Sequence, residues 1–187
     1  MALPTSGATD IHEPPLTLMA DADLVSLAER LQGLCLGRGL TVSVAESCTG
    51  GLVATTLTAV PGSSGYFLGA VVSYADGSKV RLLAVPGSTI EAHGTVSAQT
   101  ARAMAQGVRD RFGSSLAASV TGVAGPDGGS LEKPVGLTYV GLADADFADV
   151  RRFTWGGDRE GNRNDSARAV LAWLIERAQD DTQGSVR

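Results

Sequence analysis

Ser47 stands where a run of small and β-branched residues gives way to Cys48-Thr49-Gly50-Gly51. A serine at a strand-to-helix junction can project its hydroxyl beside backbone amides that no helical carbonyl has taken, and such amides favour a developing negative charge. That setting suits acyl transfer, in which one amide donor contributes roughly 3–4 kcal/mol to a tetrahedral intermediate. The position suits a plain helix cap equally well, for Ser47 or for Thr49. A nucleophilic serine also needs a base. The chain has two histidines, His12 near the N-terminus and His93 toward a helix end, so a Ser-His-Asp arrangement is not expected.

Lys79 is the better candidate base. It follows Tyr74 with four residues between, at the start of a predicted helix, so both side chains can reach the edge of the sheet where Ser47 emerges. A free lysine titrates at ~10.4 and is almost wholly protonated near neutrality, so burial would have to lower it by roughly three pH units before it could take a proton. The Tyr74 hydroxyl could relay that proton or orient Ser47 without ionising. As an isolated residue, a lysine at a helix start also reads as a solvated charge. Cys48 is expected to face the sheet packing and not the reaction. The run Thr121 to Gly129 has the backbone openness to wrap an anion or a sugar, although it lacks the Gly-Lys-Ser/Thr ending of a phosphate loop, and it reads equally as a plain loop. Arg159 and Arg163, just before the last predicted helix, could meet a phosphate or stay solvated.

The elements that must position these groups follow from periodicity. Leu24 to Cys35 predicts a helix stopped by Gly37 and Gly39; Leu40–Ala45 a strand; Gly50–Ala59 a helix closed by Pro61. Tyr66–Tyr74 predicts a central strand, Asp76-Gly77 a turn and Lys79–Leu83 a short helix. Ser88 with Glu91, and Ser97, read as helix caps, the last opening a long helix through Phe112. Leu116–Val120, Val135–Leu142 and Arg151–Trp155 read as strands, and Asn164–Ala178 as the final helix. Alternation of this kind predicts an α/β fold, a three-layer α/β/α sandwich with a mostly parallel or mixed central sheet. Sites in such sheets gather where strands end and helices begin.

At 187 residues and 43% hydrophobic content the chain fits one domain, expected over 21–180 between flexible tails at 1–20 and 181–187. The formal charge of −5 argues against broad nucleic-acid binding. Cys35 and Cys48 form no CxxC or Cys/His cluster, so no metal is expected, and they read as free thiols in a reducing compartment. Met1–Leu18 has no basic start followed by an apolar run, so neither signal peptide nor membrane anchor is expected, and the cytoplasm is the expected location.

Four segments taken together carry a resemblance: Val44-Ala45-Glu46-Ser47-Cys48-Thr49-Gly50-Gly51; Val71-Val72-Ser73-Tyr74 with Lys79 and Arg81-Leu82-Leu83; Thr121-Gly122-Val123-Ala124-Gly125-Pro126; and Lys133-Pro134-Val135-Gly136. In this order they resemble the CinA C-terminal domain family of nicotinamide-nucleotide amidohydrolases, over about Leu24 to Ala178. The resemblance implies deamidation of nicotinamide mononucleotide to nicotinic acid mononucleotide and ammonia, with no cofactor and no metal, and self-association. It puts the family's serine, tyrosine and lysine on Ser47, Tyr74 and Lys79; substrate contacts are expected at Thr49, Gly50, Gly51, Thr121, Gly122, Gly125, Arg159 and Arg163, the glycine loop and the two arginines favouring a phosphate. At Asp76-Gly77 the chain departs from the family's usual Asn-Glu, and a carboxylate there would repel a phosphate. The sequence contains no counterpart of a molybdopterin-binding-like domain, so pyrophosphate cleavage is not expected of it. The other readings are a catalytically silent nucleotide- or partner-binding domain linked to competence and DNA damage, and an amidase for another substrate.

Overall fold

A computed structural model describes residues 23–180, so the expected tails lie outside the described residues. The helix α1 (Leu24–Arg38) buries Leu27, Ala28, Leu31 and Cys35 and closes on Gly39. There follow β1 (Val42–Glu46), α2 (Leu52–Thr58), a 3-10 turn at Ser63–Gly65, β2 (Phe67–Val72), α3 (Asp76–Leu83), α4 (Gly87–His93), α5 (Ala98–Phe112), β3 (Leu116–Gly122), β4 (Leu137–Ala143), β5 (Ala148–Thr154) and α6 (Arg159–Gln179).

The five strands form one mixed sheet in the order β2-β1-β3-β4-β5, with β1 parallel to β2 and β3, and with β4 antiparallel to both of its neighbours. The helices α1, α2 and α6 pack together on one face, and α3, α4 and α5 on the other. The strands alternate accordingly. Val42 and Val44 of β1 join Leu31, Leu57 and Leu171 on the first face, while Ala45 joins Leu83, Met104 and Val108 on the second. Full burial of a side chain such as Leu57 or Met104 stabilises the fold by about 1.5–3 kcal/mol. On the second face α5 lies close to the sheet because the residues beneath it are small: Ser119 Oγ donates to the Ala101 carbonyl at 2.6 Å, and a Cβ at Gly141 would fall 2.6 Å from the same oxygen.

Register places the site. Glu46 pairs with Val72 on one side and with Val120 on the other, so the pairing of β1 with both parallel neighbours stops at one level, while β3 runs on to Gly122 against β4. The next residues along each chain segment, Ser47, Ser73-Tyr74 and Thr121-Gly122, therefore emerge at one edge, the usual position of a ligand crevice in such sheets.

Four sequence expectations need correcting. The strand β2 is not central: it lies at the edge, pairs only with β1, and leaves Leu68 and Val72 exposed. Its apolar run includes a bulge, the partner shifting from Phe67 to Gly69, where the Phe112 ring fills the space a Cβ would need. The helix expected from Lys79 begins at Asp76, whose carboxylate suits a first turn, so Lys79 sits in the second turn. The final helix begins five residues earlier than expected, at Arg159, because Asp158 caps it by accepting from the Gly161 N–H at 2.8 Å. Arg159 and Arg163 thus belong to that helix. Ser88 and Glu91 do not cap α4, whose cap position is Pro86, whereas Ser97 does cap α5 by accepting from the Thr100 N–H at 3.2 Å.

Candidate active site

The turn after β1 is held by a charge that the apolar strand would not lead one to expect. Glu46 is fully buried, and its carboxylate accepts from the N–H groups of Gly51 at 2.9 Å, Val53 at 3.1 Å and Ala54 at 2.8 Å. These are the amides at the start of α2, whose own cap position, Gly51, has no side chain. Gly50 and Gly51 take φ values of 61° and 97°, a left-handed path that glycine follows without strain, so the helix starts at Leu52 and not at Gly50 as expected. Two consequences follow for Ser47. It is not the helix cap, because Glu46 fills that role. Nor is the start of α2 an open cradle for an oxyanion, because Glu46 occupies those amides.

Ser47 is anchored through its N–H to the Val120 carbonyl at 3.0 Å and, although only 8% exposed, lines a cleft with Lys79. Lys79 Nζ lies 3.1 Å from Ser47 Oγ. The same nitrogen donates to the Ser73 carbonyl at 2.8 Å and to the Tyr74 carbonyl at 3.5 Å. Lys79 is 1% exposed, which rules out the solvated-charge reading. Burial pushes its pKa below the ordinary lysine value of 10.5, with Asp76 and the Cys48 sulfur pulling the other way. When charged, this nitrogen donates to Ser47 Oγ as well as to the two carbonyls; once it has lost a proton, two hydrogens serve the carbonyls and the lone pair is left for the serine hydroxyl.

Tyr74 reaches the same cleft but is differently engaged. The residue is 59% exposed, and its hydroxyl accepts from Arg159 Nη2 at 3.1 Å; its hydrogen bond is not to Ser47 or Lys79. The expected relay from phenol to serine is therefore absent from this arrangement, and Tyr74 contributes its backbone carbonyl to Lys79. Cys48 faces the core as expected, where burial pushes its thiol up to about 12.

The remaining expected positions fall around this pair. Thr121 is buried, and its hydroxyl donates to the Thr95 carbonyl at 2.8 Å, while Gly122 lines the cleft. The Gly125 carbonyl accepts from Arg159 Nη1 at 2.6 Å. Arg163 donates from Nη2 at 2.8 Å and Nε at 3.3 Å to the Thr49 carbonyl, behind the nucleophile turn and away from the Ser47 hydroxyl. Asn162 steadies the glycine loop from α6 by donating to the Ala124 carbonyl at 3.0 Å. Neither Glu46 nor Asn162 was among the residues singled out from sequence. A carboxylate ending an apolar strand just before a glycine pair is the signal that could have revealed Glu46, since a buried anion must find amide donors.

Ser47, Tyr74, Asp76, Lys79, Thr121 and Arg159 line a cleft of about 170 Å³. A second cleft of about 500 Å³, lined by Leu52, Pro126, Asp158, Arg159, Glu160 and Arg163, adjoins it at Arg159. A depression of about 430 Å³ between α3, α4 and α5 brings Gln99, Arg102 and Asp110 together without a nucleophile beside a base.

The sequence profile of the CinA C-terminal domain matches residues 24–178. The chain belongs to the CinA C-terminal domain family. It is 51% identical over 152 residues to a CinA-like protein of Geobacter sp. (strain M21), a match covering 81% of this chain and 37% of that protein. A CinA-like protein of Chlorobaculum tepidum is 48% identical over 161 residues, 83% of this chain and 38% of that protein. The chain thus spans well under half the length of these curated CinA relatives. Among solved CinA structures, the competence/damage inducible protein CihA from Agrobacterium tumefaciens superposes with a TM-score of 0.83 at 38% identity, covering 85% of this chain and 98% of that one. A CinA superfamily protein from Klebsiella pneumoniae superposes with a TM-score of 0.81 at 28% identity, covering 84% and 98%. The α/β sandwich is therefore the CinA fold. No helix among the described residues is long and apolar enough to cross a membrane.

Proposed function

We propose that this domain is a nicotinamide-nucleotide amidohydrolase, converting nicotinamide mononucleotide to nicotinic acid mononucleotide and ammonia. The observation that carries the reading is the buried Lys79 amine 3.1 Å from Ser47 Oγ, with its pKa held below the ordinary lysine range. A serine paired with a desolvated lysine is an acyl-transfer pair. Ser47 Oγ attacks the carboxamide carbon as Lys79 takes the hydroxyl proton. Collapse of the tetrahedral intermediate breaks the C–N bond, and Lys79 returns the proton to the departing nitrogen, which leaves as ammonia. Water, deprotonated by the same amine, then attacks the Ser47 ester and releases the carboxylate. No cofactor enters this sequence.

Size and charge support a nucleotide. The 170 Å³ cleft is smaller than a typical ligand pocket of about 300–1,000 Å³ and matches a carboxamide-bearing ring, while the adjoining cleft leaves room for a ribosyl phosphate. Arg159 stands between the two and supplies positive charge; Asp76 on the other wall opposes it. Cytoplasmic residence and self-association belong to the same proposal.

The test is ammonia release from nicotinamide mononucleotide by the full chain, beside the riboside and unrelated amides. The expected result is turnover with a preference for the 5′-phosphate, lost in Ser47→Ala. Tight binding without turnover, unchanged by Lys79→Ala, would overturn it in favour of a silent binding domain. Turnover of another amide in preference would assign a different substrate.

A further inference from the structure

A buried carboxylate is expensive to desolvate, and a helix can be capped more cheaply by a serine or asparagine at its own cap position. Here the cap is instead a charge on the last residue of the preceding strand, next to the nucleophile in the chain. Its side chain holds the start of α2 through three amides. Its backbone carbonyl accepts from the Ser73 N–H at 2.8 Å. Ser73 in turn gives its carbonyl to Lys79 Nζ at 2.8 Å. Glu46 is therefore bonded in two directions, toward the turn that carries the nucleophile and toward the segment that carries the base. From behind, Arg163 holds the Thr49 carbonyl with two donors, so the five-residue turn is fixed at both ends and in the middle.

We propose that Glu46 is the positioning residue of this site, its carboxylate setting the distance between Ser47 and Lys79 without touching substrate. The proposal rests on the amidohydrolase reading only for its rate measurements. With glutamine in its place, one oxygen remains to accept and an NH₂ group faces amides that are themselves donors, so the turn must shift. A misplacement of about 1 Å in a reacting group can cost 10²-fold in rate.

The experiment compares wild type, Glu46→Gln and Ser43→Ala in the full chain. Ser43 lies on the same strand facing the opposite side, bonded to Ser114 Oγ at 2.7 Å, so its loss lowers thermal stability without reaching the site. The result expected for Glu46→Gln is a fall in kcat of about tenfold or more with KM within about threefold. Labelling of Ser47 by a fluorophosphonate should slow by the same factor, and a crystal structure should show Ser47 Oγ moved off Lys79 Nζ. Ser43→Ala should lose stability with kcat within about twofold. If Glu46→Gln does not fold, Glu46→Asp takes its place with the same measurements, because it keeps the charge and shortens the reach. The proposal is overturned if the Glu46 variant loses stability as Ser43→Ala does while kcat and labelling stay within about twofold, or if its crystal structure leaves the Ser47–Lys79 distance unchanged. A wild type that leaves nicotinamide mononucleotide intact would overturn the amidohydrolase reading alone, and the crystal structure of the Glu46 variant would still decide this one.

Discussion

The turn from Glu46 to Gly51 and the loop from Val123 to Val135 border the same cleft, and each has a guanidinium on one of its carbonyls, but a buried carboxylate holds the first and not the second. The turn is clamped by a fully buried carboxylate beneath its amides and by a guanidinium on its carbonyl. The loop is tied at its base by the Gly136 N–H to the Val123 carbonyl, from outside by Arg159 to Gly125 and Asn162 to Ala124, and by its own donors, with Ser130 and Lys133 bonded to each other and Lys133 Nζ to the His93 carbonyl at 2.8 Å. Its outermost side chain, Leu131, is completely exposed. Chemistry between two side-chain atoms tolerates little displacement, whereas a wall that meets substrate gains from compliance, so the buried carboxylate stands where the reacting atoms are.

The hardest blow to the clamped side is removal of the pair itself. Ser47→Ala and Lys79→Met should each reduce amide hydrolysis by about 10³-fold or more, measured as ammonia release. The two should part in thermal unfolding, where Lys79→Met is expected to match or exceed the wild-type Tm because it removes the desolvation cost of a buried lysine. Next comes Glu46→Ala, which orphans three amides and should cost about 2–4 kcal/mol in urea unfolding. Gly125→Ala probes the compliant side: the residue sits at φ 85°, and a Cβ would lie 2.5 Å from Val135 Cγ1. It should cost about 1–3 kcal/mol and raise KM more than it lowers kcat, the reverse of a clamp mutation. Lys133→Ala, which removes an exposed tie, should change stability by less than about 1 kcal/mol.

The pH dependence follows from Lys79. The reactive form is the neutral amine, so kcat/KM should rise with pH through a value below 10.5. Between that folded value and the ordinary ~10.4 of the unfolded chain, the unfolded state binds more protons, so stability should also rise with pH across that window. Asp76 holds the pKa up, so Asp76→Asn should move the rate profile to lower pH and strengthen discrimination for the phosphate.

Much of this was legible in the residues. The alternation of Val42 and Val44 with small residues placed β1, and Ser47 after it fell at the strand end. A histidine-poor chain turned attention to Lys79, whose burial fits the role. What escaped was what depends on neighbours. An apolar run such as Phe67 to Val72 has the same composition at an edge as in the middle of a sheet, so β2 was misplaced. Arg159 to Arg163 are too polar to show a helical period, so the first turn of α6 went unseen despite the Asp158 cap. The Tyr74 phenol turns outward because Arg159, 85 positions away, offers it a donor, and no local pattern contains that pairing. Glu46 falls just past the strand expected to end at Ala45 and drew no reading of its own, since its meaning lies in three amides at and beyond two left-handed glycines.

The pairing of β1 with β2 bears on when the site comes into being. Ser47 and Lys79 are 32 residues apart, and they meet only after β1 and β2 have paired along their length. Parallel pairing is a non-local event and comes late compared with helix formation. Until then Lys79 is a hydrated ammonium and Ser47 an ordinary alcohol, so a nascent or partly unfolded chain carries no armed nucleophile. Reactivity at Ser47 is thus a property of the closed sheet, and its recovery during refolding should track the ordering of β1 against β2, not the earlier appearance of helical signal.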